Sequence, residues 1–469
     1  MRWKKLTTSL ALVTVMVTLT ACGATRSYHQ ELSSSLDAIQ RGQVDAALAV
    51  LEKNNEGADK DLLYHFEKGA MVRLKNDLTG STQAWQSADE MIAQWEESVK
   101  VDAAKVLGEV GGALVNDRVR KYDGYDYEKV MLSTELALNH FLAGNKEAAR
   151  VEIKKTHERE AIIAEFRAKE LAKAEEEAKE KSVKSTYKDL NGYPVEVLDD
   201  PEVVSLKNGY QSAFSHYLAG FIYEAMGEPS LAAPGYRQAV ELRPNVPILD
   251  NTLSGLEKRL KKSGKKVEKE DPKGKKGATK KVKETDVLFV VEAGMAPARE
   301  SFSVHLPIPV GGGLVASSFT VPLIKPTNTS APLELTLTKG PKVPLTVITS
   351  IDAMSRRALK DEMPAIIVRN IIRAIAKGAI QKVAQDRHAV LGLLAAVASV
   401  ATEGADERAW RTLPAVISIG RVPVPEGEYS LTLGTSQQTV KISGSHQVVL
   451  LRMIGSQLYL ADALPTSSK

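Results

Sequence analysis

Between Glu257 and Glu284 the chain reads EKRLKKSGKKVEKEDPKGKKGATKKVKE, with 13 basic and 5 acidic residues, one proline and no aromatic side chain. So little apolar surface cannot offset the entropy of ordering such a run. Residues 254–284 are therefore expected to form a Lys-rich flexible linker. Two roles fit: a solvated spacer, or one that also touches anionic phospholipid or an envelope polymer. The run also divides two hydrophobic periodicities. Before it, apolar residues recur at helical spacing; after it, they alternate or come in short runs. A chain patterned this way is expected to be an α+β multidomain protein, helical first and β-rich second.

Composition agrees with packed cores on both sides. Hydrophobic residues make up 43% and charged residues 26% of the 469 residues, as in ordinary globular chains. The net charge of +4 is less than the excess in the Lys-rich run alone, so the remainder is mildly acidic. Nothing in this balance calls for a nucleic-acid partner, and none is expected.

The helical half carries a broken repeat. In HYLAGFIYEAMGEPSLAAPGYRQAVELRP, small residues stand at Gly220, Ala232 and Ala239 and large ones at Tyr223 and Tyr236. Gly227 supplies the turn and Pro244 the stop. Small residues let two antiparallel helices approach; the tyrosines fill the space beside them. Earlier units follow the same scheme, with turns at Gly42, Asn76 and Gly144. Gly69, Ser81, Trp85 and Ala88 take the packing roles in one unit; Ala47 with Leu51, and Ala149 with Ile153, take them in two others. The turns lie 34 and then 68 residues apart, one and two periods of a 34-residue repeat, and the phase then breaks. A long charged helix with Glu/Lys pairs near 152–185 accounts for the break. Over 31–253 this pattern resembles the tetratricopeptide repeat family. The resemblance implies an α-solenoid whose concave face binds a protein or peptide; packing against the chain's own second domain is the alternative. Tyr122, Tyr125 and Tyr127 in RVRKYDGYDYEKV either line a binding surface or are wedged between helices.

Beyond the linker, 285–469 reads as a β-sandwich-like domain. Strand patterns run through DVLFVVEAG, SFSVHLPIPV, LELTLTKG, VPLTVITSI, PAVISIGRVPV, YSLTLGT, QTVKISG, HQVVLLRMIG and SQLYLADA. An inserted helical hairpin is expected near 352–402. Its second helix, Ala389 to Ala401, has no charge and is too short to span a bilayer. It suits burial in the core, or an interface to another copy or to a membrane surface.

At the other end of the chain, Arg2, Lys4 and Lys5 precede the uncharged run Leu6 to Thr20 and then LTAC. Cys22 is the single cysteine, so no disulfide can form within the chain. The combination resembles the signal and lipobox of bacterial lipoproteins. That resemblance implies a signal peptide over 1–21, lipidation of Cys22 and a lipidated tether over 22–30. Gly23 after the cysteine implies the outer membrane, periplasmic face, and two or more acyl chains anchor stably. The layout as a whole resembles a group of proteobacterial envelope lipoproteins.

Motifs for catalysis are weak. There is no zinc-protease helix, P-loop or nucleophile elbow. STYK at Ser185 to Lys188 matches Ser-x-x-Lys without the companion motifs of penicillin-interacting enzymes, and Gly311 to Gly313 opens no helix. The histidines show no metal-ligand spacing; His65, His140 and His216 fall in repeat helices as packing residues. The expectation is a non-enzymatic scaffold for protein interactions in the cell envelope, with no catalytic, metal or cofactor site. A structural subunit of an oligomeric envelope assembly is the alternative, and a cell-wall hydrolase a more distant one.

Overall fold

The computed structural model describes residues 28–57, 59–111, 121–181, 185–266, 283–310, 313–387 and 404–462. The signal segment, Cys22, residues 267–282 of the Lys-rich run and the stretch Ala389 to Ala401 lie outside the described residues.

The first half is helical: α1 (Tyr28–Gln40), α2 (Val44–Asn54), α3 (Leu62–Leu74), α4 (Leu78–Gly111), α5 (Asp126–Leu142), α6 (Lys146–Glu180), the short α7 (Pro201–Ser205), α8 (Ala213–Ala225), α9 (Pro229–Leu242) and α10 (Pro247–Lys266). Four tight turns link α1 to α2, α3 to α4, α5 to α6 and α8 to α9. Each contains a residue of positive φ: Gly42 (77°), Asn76 (59°), Gly144 (79°) and Gly227 (78°). Glycine adopts that conformation freely, and asparagine is among the few others that tolerate it. The charged helix α6 begins at Lys146, because the Asn145 side chain caps it by accepting from Ala148 N at 3.2 Å. Its buried residues Ala149, Glu152, Ile153, Thr156, Arg159, Glu160, Ile163 and Phe166 form one face at three- and four-residue steps. The long α4 bends at Asp102, whose carboxylate accepts from Lys105 N at 2.9 Å and restarts the helix.

The second half contains β1 (Glu284–Ala293), β2 (Arg299–Val310), β3 (Gly313–Ile324), β4 (Glu334–Leu337), β5 (Lys342–Pro344), β6 (Thr346–Ser350), α11 (Ile351–Arg387), β7 (Val416–Pro425), β8 (Gly427–Leu433), β9 (Ser436–Ile442), β10 (His446–Ile454) and β11 (Gln457–Ala461). A five-stranded sheet has the order β11-β10-β1-β7-β6, and a four-stranded one the order β5-β4-β8-β9. β1 runs parallel to β10 and antiparallel to β7. Its central place follows from an apolar run buried on both faces. Val287, Phe289 and Val291 meet Leu335, Val343, Leu431 and Val440 between the two sheets. Leu288 and Val290 join Ile417, Ile419, Val448 and Leu450 in one core with Leu132, Leu136, Phe214, Tyr217 and Phe221 of the helices. The molecule is therefore three layers deep: helices, the five-stranded sheet, the four-stranded sheet.

Two features go beyond the sequence reading, and a third is met only in part. Helical structure continues to Lys266, beyond the boundary expected at 253. β3 is a full strand in a stretch not counted among the strand patterns, and it pairs with β2 from Arg299–Ile324 to Val310–Gly313. The insertion begins with a single long helix, α11, and the expected second helix lies outside the described residues. The last described strand closes on the first described helices: Tyr459 Oη donates to the Ile39 carbonyl at 3.4 Å, and Asp462 N to Asn76 Oδ1 at 3.0 Å.

Candidate functional site

The last helix pair shows how the array is packed. A Cβ on Gly220 would stand 2.5 Å from the Tyr236 ring, so only glycine lets α8 and α9 meet there. Ala232 and Ala239 are fully buried at the seam, and Tyr236 Oη donates to Glu224 Oε2 at 2.6 Å. Tyr223 is half-buried against the core, Gly227 makes the turn, and Pro244 lies exposed beyond the end of α9. Gly235, which the repeat pattern does not single out, is as demanding: its Cβ would approach the His216 carbonyl to 2.7 Å. In the α3/α4 pair, Gly69 faces Trp85 in the same way, and Trp85 Nε1 donates to the Phe66 carbonyl at 3.1 Å.

The helical layer also grips a segment of its own chain. The irregular stretch that leads into β7 places Trp410, fully buried, flat on Phe66 (4.3 Å, 9°) and edge-on to Trp85 (5.8 Å). Two buried carboxylates hold its backbone. Glu128 accepts from Trp410 N at 2.7 Å and from Tyr125 N at 2.8 Å, and also takes the Tyr122 hydroxyl. Glu67 accepts from Arg411 N at 2.7 Å and Thr412 N at 3.1 Å. Burial pushes Glu128 up to about 7 despite these donors. Beside them Arg73 lies between Glu135 of α5 and Glu292 of β1, 2.8 Å from the latter. An aromatic anchor with clamped backbone N–H groups is a means of holding a peptide, and here the peptide is internal.

A cavity of about 140 Å³ remains open beside this segment, among α4, the loop before α5, α6, β2 and α11. The three tyrosines divide around it. Tyr122 and Tyr127 are buried, whereas Tyr125 is half-buried, and both Tyr122 and Tyr125 line the cavity. The Arg299 guanidinium stands over the Tyr125 ring at 4.1 Å. Arg167 donates to Asp126 at 2.5 Å, Glu170 at 2.5 Å and Glu362 at 3.0 Å. Lys129 covers Trp95 at 3.9 Å and lies 3.6 Å from Asp126. Burial raises Asp126 and Glu170, but Arg167 outweighs it and holds both below the ordinary carboxylate range. At Glu362 burial wins and the shift is upward.

The remaining sequence candidates are dispersed. His216 is buried 3.1 Å from Glu160 and 5.0 Å from the His157 ring. Among the described residues no three His, Cys, Asp or Glu side chains form a set that could hold a metal ion. Within the described residues no helix is long and apolar enough to cross a membrane.

No family model matches the chain, and no curated protein matches it. Among solved structures the chain is similar to the TPR2AB-domain:pHSP90 complex of yeast Sti1, with 14% identity over 50% of this chain and 85% of that one, at a TM-score of 0.19. It is also similar to a tetratricopeptide repeat protein from Parabacteroides merdae, with 12% identity over 49% and 98% of the two chains, at a TM-score of 0.14. Both neighbours are tetratricopeptide proteins, and superpositions this loose add nothing to what the helix pairs themselves display.

Proposed function

We propose that the protein is an outer-membrane lipoprotein, anchored through Cys22 on the periplasmic face, that serves as a rigid scaffold for a protein partner. The observation that carries the scaffold reading is the clamp on Trp410. The helical layer holds a non-helical segment by an aromatic anchor and carboxylate-bound backbone, which fixes the helices on the sheet. With its inner face filled by its own chain, the array offers a partner its outer faces, where Leu171 of α6 (45% exposed) and Leu231 of α9 (53%) are apolar side chains in water. The location rests on the basic start, apolar run and LTAC of the sequence.

Photo-crosslinking in cells tests both parts. A photoreactive residue at Leu171 or Leu231 should give a discrete protein adduct that fractionates with the outer membrane. Cys22→Ala should remain unprocessed by the lipoprotein peptidase. Absence of an adduct from both positions overturns the scaffold, and normal maturation of Cys22→Ala overturns the anchor.

A further inference from the structure

We infer that the cavity beside Tyr125 is a binding site for a small oxyanion, a carboxylate or a phosphate, carried on an apolar body. The argument starts from charge. Lys121, Lys129, Arg167, Arg299 and Arg369 stand in the wall with the carboxylates Asp123, Glu170, Glu362 and Asp406, and Asp126 pairs with Arg167 and Lys129 beside it. At the rim Lys121 pairs with Asp123 at 3.9 Å and Arg408 with Asp406 at 2.8 Å. Two of these cations are nevertheless short of acceptors.

They are Arg299 and Arg369. Arg299 is 3% exposed, yet its Nε and Nη1 have no hydrogen-bond acceptor. Its nearest carboxylate oxygen, on Glu362, is 3.8 Å away, and Glu362 is already held by Arg167 at 3.0 Å. Arg369 has the same problem: its Nε lacks an acceptor, and Glu170, 3.4 Å from its Nη1, is bonded more closely to Arg167. Arginine cannot shed its proton to escape burial. A buried guanidinium short of acceptors is a standing cost to the fold.

An anion in the cavity supplies what is missing. Guanidinium forks match the paired oxygens of carboxylate and phosphate, and stacking on Tyr125 fixes the plane of Arg299 in advance. Trp95, Phe166 and Ile366 provide apolar wall for the body that carries the anion. The space is about ten times the roughly 10–15 Å³ that one water needs. The site is independent of whichever protein the outer faces take.

The test uses the full mature chain and two probes, inorganic phosphate and benzoate, titrated calorimetrically at constant ionic strength with chloride as the reference. Saturable binding of benzoate alone assigns a carboxylate on an apolar body; binding of phosphate alone assigns a phosphate. Arg299→Met should weaken binding by about tenfold or more, the equivalent of one charge-assisted hydrogen bond. Its melting temperature without anion should hold or rise, because a poorly paired buried cation has been replaced by an apolar chain of similar length. If that variant does not fold, Arg369→Gln, 15% exposed, should show weakened binding in its place. Neither probe binding better than chloride overturns the inference, as does wild-type affinity in a folded variant.

Discussion

The seam between α8 and α9 and the seam between the helical layer and the sheet are built by opposite means. The first joins neighbours along the chain with Gly220, Gly235, Ala232 and Ala239 set against Tyr236. Shape makes that contact. The second joins residues 219 to 345 positions apart through Arg73–Glu292, Glu128–Trp410 and Glu67–Thr412. Charge and hydrogen bonds make this one, in a setting that excludes water. Close packing degrades gradually as side chains change volume, whereas a buried ion is tolerated only while its counterpart is present. The two seams should therefore fail differently.

The largest effect is expected at Arg73→Met, which leaves Glu135 buried without its cation and Glu292 with only Arg452, 3.7 Å away. Denaturant unfolding should show a loss of about 3–5 kcal/mol. Adding Glu135→Gln, which removes the carboxylate left unpaired, should recover part of it; a double variant as weak as the single one would break the contrast between shape and charge. Next comes Ala232→Trp, which forces a large side chain into the α8/α9 seam and should cost about 1–3 kcal/mol. The exposed neighbour Leu231→Trp should leave the melting temperature almost unchanged. Equal shifts at the two positions would mean that shape does not hold that seam. The smallest effect is one of pH. Glu128 is raised to about 7 in the fold and titrates near 4.5 when unfolded, so between these values the native state holds the extra proton. The stability of the wild type relative to Glu128→Gln should therefore fall as pH rises through that window. The slope should be no steeper than about 1.4 kcal/mol per pH unit. A rise with pH would show the carboxylate to be stabilised by its three donors rather than penalised by burial.

The same contrast explains what can be read from the sequence. Turns at Gly42, Asn76, Gly144 and Gly227 are legible because a left-handed backbone restricts residue choice locally. β1 is legible as an apolar run bounded by polar residues. β3 is not, since Ser317, Ser318 and Pro322 interrupt its pattern and its pairing with β2 completes it. The Trp410 segment lies outside every strand and helix pattern named above, and its burial depends on Phe66 and Trp85 far upstream. For the cavity, the tyrosines of KYDGYDYEK stand out as a cluster. Arg167 and Glu362 meet across 195 residues, and Arg369 reaches Glu170 across 199, which no local spacing announces. Gly235 could have been found: it lies one residue before Tyr236, in a helix, where glycine is unfavourable unless a backbone must come close.

The closure of the last described strand on the first described helices sets an order of events. A chain that emerges N-terminus first, from a ribosome or a translocation pore, presents α1 to α6 before Trp410, β10 and β11, whose contacts with the first helices span as many as 420 residues. Until then Phe66 and Trp85 lack their aromatic cover, and Arg73 lacks Glu292. Contacts of such sequence separation pay their loop-closure entropy late, so the barrier to the native state is high and the incomplete helical half is exposed to aggregation for the whole interval. The same wiring ties the finished molecule together, because α1 and α3 cannot leave without unseating β11, the last strand to arrive.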